Sequence, residues 1–294
     1  MSAKRDLEKG QLHTNVNLAS FTSWQLGGNA ERFYWPLDLE DLQQFLKKLP
    51  ADEKITWLGL GSNVLVPDEG IKGMVIITQG ALKEMELIEP TLVYAQAGIS
   101  CAQVARFGAR NNLVTGEFLA GIPGSVGGAL WMNAGAFGGE TWQRIEYVDT
   151  INRQGEIKRR SPSEFTIHYR KTEGLAPNEW FVAGAFRFQP GNGEEGLANI
   201  KALLEKRAQT QPTGEPSCGS TFKNPPGDYA GRLIESLGLK GHQIGQARIS
   251  PKHANFIINL GGATAKDMKE MIAFVQQKVK EAYGIELHPE VQRL

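Results

Sequence analysis

Only two cysteines occur in the 294 residues, Cys101 and Cys218, far apart and in no metal-ligand spacing. That argues against a disulfide framework and against a thiolate zinc site, and a reducing cytoplasm fits best. Histidine is also sparse, and His168, His242 and His253 show no metal-ligand spacing, so no metal is expected. Charge of one sign is missing: Lys plus Arg number 32 and Asp plus Glu 32. The footprint of a general nucleic-acid or membrane-surface binder is therefore absent, and an anionic ligand must meet a local site. No apolar run reaches about 18 residues, and the polar start MSAKRDLEKGQLHTN has no apolar signal-peptide core, so neither a membrane span nor export is expected. Neither Gly-rich stretch, 59–63 or 121–139, satisfies the nucleotide fingerprint GxGxxG, GxxxxGK[ST] is absent, and no GxSxG elbow surrounds Ser220, which disfavours Rossmann, P-loop and α/β-hydrolase readings.

What is there is an ordinary globular composition, 41% apolar and 22% charged, long enough for two units. Asp38 can cap a helix carrying Leu42, Phe45, Leu46 and Leu49, which Pro50 ends. Strands follow at 54–58 and in GMVIIT from Gly73, giving a βαβ-like lobe over about 15–80. From Ala81 the pattern turns β-rich, with LKEMELIEP and TLVYAQAG, a helix that Ser100 can cap, a hairpin about NRQG, and the strand EWFVAGAFRFQP. This second lobe spans about 81–190. The segment GNGEEG reads as a linker, followed by a charged helix over about 197–209 that Pro212 stops. A smaller unit, 191–294, then holds a short helix through Leu233, a strand at ANFIINL, a long amphipathic helix over about 265–283, and an extended tail, IELHPEVQRL. The fold class is α+β.

Glycines at 121, 124, 127, 128, 135, 138 and 139 bare one run of backbone, GIPGSVGGALWMNAGAFGG. Without side chains, N–H groups can approach an anion and positive φ is open. The alternative is a Gly-rich turn region between core strands. A second stretch, Gly59, Leu60, Gly61, Ser62 and Asn63, follows a strand and offers further N–H groups, though alone it reads equally as a tight turn. Together the two could clamp an extended diphosphate from both sides.

GSTFKNP (219–225) brings a hydroxyl at Ser220, a cation at Lys223 and an amide at Asn224 into one segment. A polar surface turn would look the same, and Ser220 suits proton or hydrogen-bond donation better than nucleophilic attack. Arg170, beside Tyr169 after a helical turn capped by Ser161 or Ser163, suits a carboxylate or phosphate if it is more than a surface cation. Glu290 lies on a tail that would ordinarily fray.

Six motifs in order, TSWQLGGNAE (22–31), LGLGSNVLV (58–66), GEFLAGIPGSVGGALWMNAGAFGGE (116–140), HYRKT (168–172), PSCGSTFKNP (216–225) and HPEVQRL (288–294), closely resemble the UDP-N-acetylenolpyruvoylglucosamine reductase family of peptidoglycan precursor synthesis. The resemblance spans nearly the whole chain. It implies a two-lobed FAD-binding domain of the vanillyl-alcohol-oxidase (PCMH) type over 1–190 and a smaller C-terminal α+β substrate-binding domain over 191–294. Its activity implies noncovalent FAD, NADPH as co-substrate, and hydride transfer to the enolpyruvyl ether of UDP-N-acetylglucosamine, in a cytoplasmic enzyme expected to be a monomer.

By this resemblance the flavin meets Gly59, Gly61, Ser62, Asn63, Val64, Gly121, Ile122, Pro123, Gly124, Ser125, Gly127, Gly128, Asn133, Gly135 and Ala136. Arg170 and Glu290 match the residues that stabilise the enolate, and Ser220 matches the proton donor. Tyr169, Lys223 and Asn224 match substrate-binding positions. The chain departs from the family pattern twice. FRFQP runs directly into GNGEEG with no tyrosine-bearing loop, as in a shorter subtype, and Gln292 stands where many members carry arginine, with Arg293 next. The rival readings are a flavin oxidase of the same superfamily and a nucleotide-binding module without turnover.

Overall fold

The helix starts lie where the capping residues put them. The structure, a computed structural model, describes residues 7–294, so the first six residues of the polar start read above lie outside the described residues. Asp38 accepts from the Asp41 N–H and opens α1 (Leu39–Lys48), which buries Leu42 and Leu46. Ser100 closes a capping box with Gln103 at α2 (Cys101–Arg110). Further along come α3 (Val126–Met132), α4 (Gly193–Thr210), α5 (Ala230–Ser236) and α6 (Ala265–Tyr283).

Strands Leu12–Asn17, Asn29–Tyr34, Ile71–Ile77 and Ile55–Leu58 form the first sheet in that spatial order, antiparallel at the first pair and parallel at the other two. Its two faces are covered by separate apolar clusters, one around Phe21 and Phe33, the other around Leu42, Leu46 and Ile76. The second sheet is antiparallel throughout, ordered Ile157–Arg160, Ile145–Asn152, Glu179–Arg187, Leu92–Gln96, Met85–Glu89. Val182, Ile151 and Ala97 of this region pack with Leu42 and Ile76, so the lobes share a core.

The segment read as a linker is helix. Asn192 caps α4 by accepting from the N–H groups of Glu194 and Glu195, and the helix begins at Gly193. Gly193 and Gly196 serve close packing rather than flexibility: an added Cβ would lie 2.1 Å from the Ala109 carbonyl oxygen and 3.3 Å from the Ala109 side chain, respectively. Ile200 is buried in the second lobe's core and Leu204 packs against it, so α4 lies on that lobe.

The third unit pairs Gln243–Ile244, Ala247–Ile249 and Ile257–Asn259 against α5 and α6. Its core also takes Trp24, Leu26 and Leu65 from the first lobe. Trp24 is wholly buried, donates its indole N–H to the Ile257 carbonyl (2.7 Å), and accepts from Asn259 at its own carbonyl (2.8 Å). Asp68 reaches across as well, its carboxylate taking the first two N–H groups of α6, Ala265 at 2.7 Å and Lys266 at 3.0 Å. The tail does not fray. Gln292–Arg293 adds a parallel strand to Val64–Leu65, with Gln292 N–H donating to the Asn63 carbonyl.

Candidate active site

The turn at 59–63 begins where the strand Ile55–Leu58 ends. None of its five backbone N–H groups donates to another described residue. Gly61 holds φ +64°, and an added Cβ would strike the Phe21 carbonyl oxygen at 2.0 Å, so glycine is required there. Asn63 spans to the tail, donating Nδ2 to the Glu290 carbonyl at 3.1 Å, while its buried Oδ1 finds no partner. Val64 starts the short strand that holds Gln292.

Facing this turn is the start of the 121–139 stretch. A Cβ on Gly59 would lie 2.6 Å from Ser125 Oγ, and one on Gly124 would lie 3.5 Å from Ser62 Oγ. Gly124 and Ser125 also keep N–H groups without described acceptors. The two stretches form one nest of backbone donors, the arrangement that receives an anion without a charged side chain. Beyond Ser125 the stretch is occupied internally. Val126 and Gly127 donate to the carbonyls of Ile99 and Ala97, and Gly128 to Ser125 Oγ at 3.4 Å, although Gly128 still presents an open face.

The remaining glycines there serve packing. Gly121 admits the Phe137 ring, Gly139 the Phe118 ring, and Gly135 the Gly139 carbonyl. Ile122 is buried, and Gly135–Ala136 pairs with Gly139–Glu140. Asn133 ends α3 in the left-handed region, φ +42°, with its side chain spent on Glu140, the His168 carbonyl and the Trp142 N–H. The run is thus a compact scaffold whose anion-facing part is its Pro123 to Ser125 end.

A cleft of about 460 Å³ opens beside the nest, lined by Ser62, Pro123, Ser23, Gln25, Arg207 and Gly219 among others. Arg207 was not singled out in the sequence. It donates to the Gly121 carbonyl (2.8 Å) and to Gln211 (2.9 Å), has no acidic partner among the described residues, and burial lowers its pKa. The only sequence signal is that no acid stands three or four residues away on α4.

On the other side of the 217–224 segment lies a second cavity of about 460 Å³, lined by Ser220, Asn224, Tyr229, Lys252, His253 and Asn255 among others. The two cavities adjoin at neighbouring residues, Gly219 and Ser220. Asn224 also caps α5, accepting from the Ala230 N–H at 3.1 Å. His253 Nδ1 accepts from the Asn255 N–H, and burial keeps the ring below the usual histidine pKa, hence neutral at pH 7.

The tail runs alongside this segment. Glu290 N–H donates to the Thr221 carbonyl at 2.8 Å and Lys223 N–H to the His288 carbonyl at 2.9 Å, which seats Glu290 next to Ser220 in the fold. Arg170 arrives from the second lobe, in the turn between Thr166–His168 and Lys171–Glu173, itself at φ +56°. The helical turn just before this hairpin is Pro162–Glu164, capped by Ser161 rather than Ser163. Arg170 Nε meets Glu290 Oε1 at 3.1 Å and Nη2 donates to the Gly135 carbonyl at 3.0 Å, with Tyr169 under the guanidinium at 4.9 Å. Burial pushes the Glu290 carboxyl up from the ordinary range, and Arg170 and Lys223 pull against it. Burial likewise raises the Cys218 thiol, which keeps it protonated and unreactive.

Ser62 and Pro123 therefore line one cavity, with Gly59, Gly61, Asn63, Gly124 and Ser125 in the nest beside it, Ser220 and Asn224 line the other, and Arg170, Lys223 and Glu290 meet beside the Ser220 segment. Gly121, Ile122, Gly127, Asn133, Gly135 and Ala136 lie behind them as scaffold. The donor nest fits a dinucleotide diphosphate, as the unsatisfied 59–63 amides show. A two-lobed α+β domain built this way, with a smaller α+β unit packed against it, defines an FAD-binding oxidoreductase of the vanillyl-alcohol-oxidase fold.

Comparison with known proteins narrows this. The FAD binding domain model matches residues 30–161, and the model of the UDP-N-acetylenolpyruvoylglucosamine reductase C-terminal domain matches residues 211–294. A UDP-N-acetylenolpyruvoylglucosamine reductase of Legionella pneumophila (strain Paris) is 56% identical over 284 residues, covering 96% of this chain and 93% of that one. The enzyme of the same name from Coxiella burnetii (strain RSA 331 / Henzerling II) is 53% identical over 302 residues, with 96% and 95% covered. The crystal structure of the Thermus caldophilus reductase superposes with a TM-score of 0.81 at 33% identity, covering 96% of this chain and 98% of that one. The chain belongs to the UDP-N-acetylenolpyruvoylglucosamine reductase family. Among the described residues no helix is long and apolar enough to cross a membrane, and no cluster of metal-ligating side chains is present.

Proposed function

We propose that this chain reduces the enolpyruvyl ether of UDP-N-acetylglucosamine to UDP-N-acetylmuramate, using NADPH and noncovalent FAD, as a cytoplasmic monomer. The observation that carries the reading is the Arg170–Glu290 pair, 3.1 Å apart and held beside the Ser220 segment at the junction of two cavities. Bound FAD, reduced by NADPH, supplies the hydride.

The remaining work falls to the chain itself. Unpaired N–H groups at 59–63, with those of Gly124 and Ser125, hold the cofactor diphosphate between the lobes. Hydride addition to the terminal carbon of the unsaturated carboxylate leaves enediolate charge. Arg170 receives that charge, already aimed by Tyr169 and the Gly135 carbonyl. Burial favours the protonated form of Glu290, and in that form it hydrogen-bonds to the substrate carboxylate instead of repelling it. Ser220 gives its hydroxyl proton to the adjacent carbon: the C–H bond forms as the O–H bond breaks, and solvent reprotonates the serine alkoxide. An alkoxide is a poor leaving base, yet the carbanion-like partner is stronger, so the transfer runs downhill once aligned. Lys223 and Asn224 bind the substrate near that point, with Tyr169 at its edge.

The test is NADPH oxidation by the purified yellow protein with and without the enolpyruvyl sugar nucleotide. Consumption that requires the nucleotide and yields UDP-N-acetylmuramate supports the reading. Consumption that requires only O₂ identifies a flavin oxidase instead.

A further inference from the structure

With the reacting ether assigned to Ser220, the rest of the second cavity is free to hold the nucleotide. One residue on its wall has no structural task for its side chain. Tyr229 is 69% exposed, the most exposed of the large apolar and aromatic side chains among the described residues. Its backbone is fixed, the N–H held by the Asp228 carboxylate at 2.7 Å, and it stands at the cap position of α5 without using its side chain as a cap. Among the described residues the ring has no aromatic or cationic neighbour and the hydroxyl no hydrogen-bond partner. A bare ring costs free energy in water and gains it when a flat partner covers it.

The same wall is cationic. Among the described residues Lys252 reaches only the Ala208 carbonyl and has no carboxylate partner, whereas Glu235 is already engaged by Lys240 and Asp228 by Arg232. A cavity of about 460 Å³ is of the size that takes a sugar nucleotide. An unpaired ammonium and an uncovered aromatic ring are complementary to a diphosphate and to a nucleobase.

We propose that Tyr229 is the stacking platform for the nucleobase, its ring covering the pyrimidine of the sugar nucleotide at the rim of the Ser220 cavity while Lys252 holds the diphosphate. This rests on the function proposed above. Stacking is read by a flat face and not by the phenol, so phenylalanine serves as well as tyrosine and alanine does not.

The experiment titrates the FAD-loaded protein with uridine diphosphate and, separately, with ribose 5-diphosphate, which lacks the base. Three proteins are compared: the unaltered one, Tyr229→Ala and Tyr229→Phe. The expected result is a Kd for uridine diphosphate weakened about tenfold in Tyr229→Ala and unchanged in Tyr229→Phe, with ribose 5-diphosphate indifferent to both. Flavin bleaching by NADPH stays at the unaltered rate in all three. The inference is overturned if Tyr229→Ala binds uridine diphosphate as tightly as the unaltered protein, if the base-free probe weakens by the same factor, or if NADPH reduction alone is impaired. Turnover of the enolpyruvyl nucleotide by the unaltered protein separates the two claims: with turnover present, any of these failures removes Tyr229 only, and without it the proposed function falls first.

Discussion

Arg170 and Glu290 are 120 residues apart in the chain and 3.1 Å apart in the fold, one carried by the second lobe and the other by the tail, two residues before the strand that anchors it on the first. Both side chains are largely buried, 16% and 17% exposed, so the pair exists only when lobes, third unit and tail are all assembled. Removing the cation leaves a buried carboxylate and strips the developing enolate of its main partner. Arg170→Ala should lower kcat by about 10²- to 10³-fold, while NADPH still bleaches the flavin. Steady-state and half-reaction rates check this, and an unchanged kcat would remove Arg170 from the chemistry.

The raised pKa of Glu290 has a definite sign for stability. A carboxyl that binds its proton more tightly folded than unfolded contributes stability below the ordinary value of 4.5 and loses it as pH rises toward its folded pKa. Glu290→Gln cannot lose a proton. Its thermal midpoint relative to the unaltered protein should therefore climb as pH rises from about 4.5 toward neutrality. A midpoint difference that shrinks with pH would mean that pairing with Arg170 outweighs burial.

Two glycines of the nest separate folding from binding. At Gly61 the φ of +64° and the Phe21 carbonyl at 2.0 Å leave no room for a methyl, so Gly61→Ala should destabilise by about 1–3 kcal/mol or more. At Gly124 the added carbon meets only ordinary contacts, 3.5 Å from Ser62 Oγ, but stands in the gap between the two stretches. Gly124→Ala should keep its thermal midpoint as apoprotein and bind FAD more weakly. Equal FAD affinity in Gly124→Ala would place the diphosphate elsewhere.

Asp68 joins the first lobe to the third unit through the N-terminus of α6. Asp68→Ala leaves two N–H groups of that helix without their acceptor and removes a carboxylate from the positive end of its dipole. The expected loss is about 1–2 kcal/mol in urea denaturation, with a smaller loss in Asp68→Asn. No change would show that water replaces the carboxylate at no cost.

Local signals were legible and long-range ones were not. Asp38, Ser100 and the period of 265–283 located their helices because caps and amphipathic spacing act within one turn. The motif order singled out Arg170, Ser220 and Glu290, and the fold sets Arg170 against Glu290 beside the Ser220 segment. The segment GNGEEG misled because glycine marks flexibility and close helix contact alike, and only Ala109, some eighty residues earlier, distinguishes them. The tail misled for the same reason: its partners, Asn63 and Thr221, are distant in sequence. The run from 121 to 139 looked like one long phosphate cradle. In the fold most of its glycines accommodate Phe137, Phe118 and neighbouring backbone, and the free donors concentrate at 59–63. Arg207 carries no motif legible without that geometry.

The most direct measurement is the anaerobic half-reaction pair in Ser220→Ala. The NADPH-reduced protein is mixed with the enolpyruvyl sugar nucleotide, and return of the flavin absorbance is followed by stopped flow. Bleaching by NADPH should proceed at the unaltered rate, and reoxidation by the nucleotide should slow by about 10²- to 10⁴-fold. Reoxidation at the unaltered rate would contradict proton donation by Ser220 and the mechanism built on it.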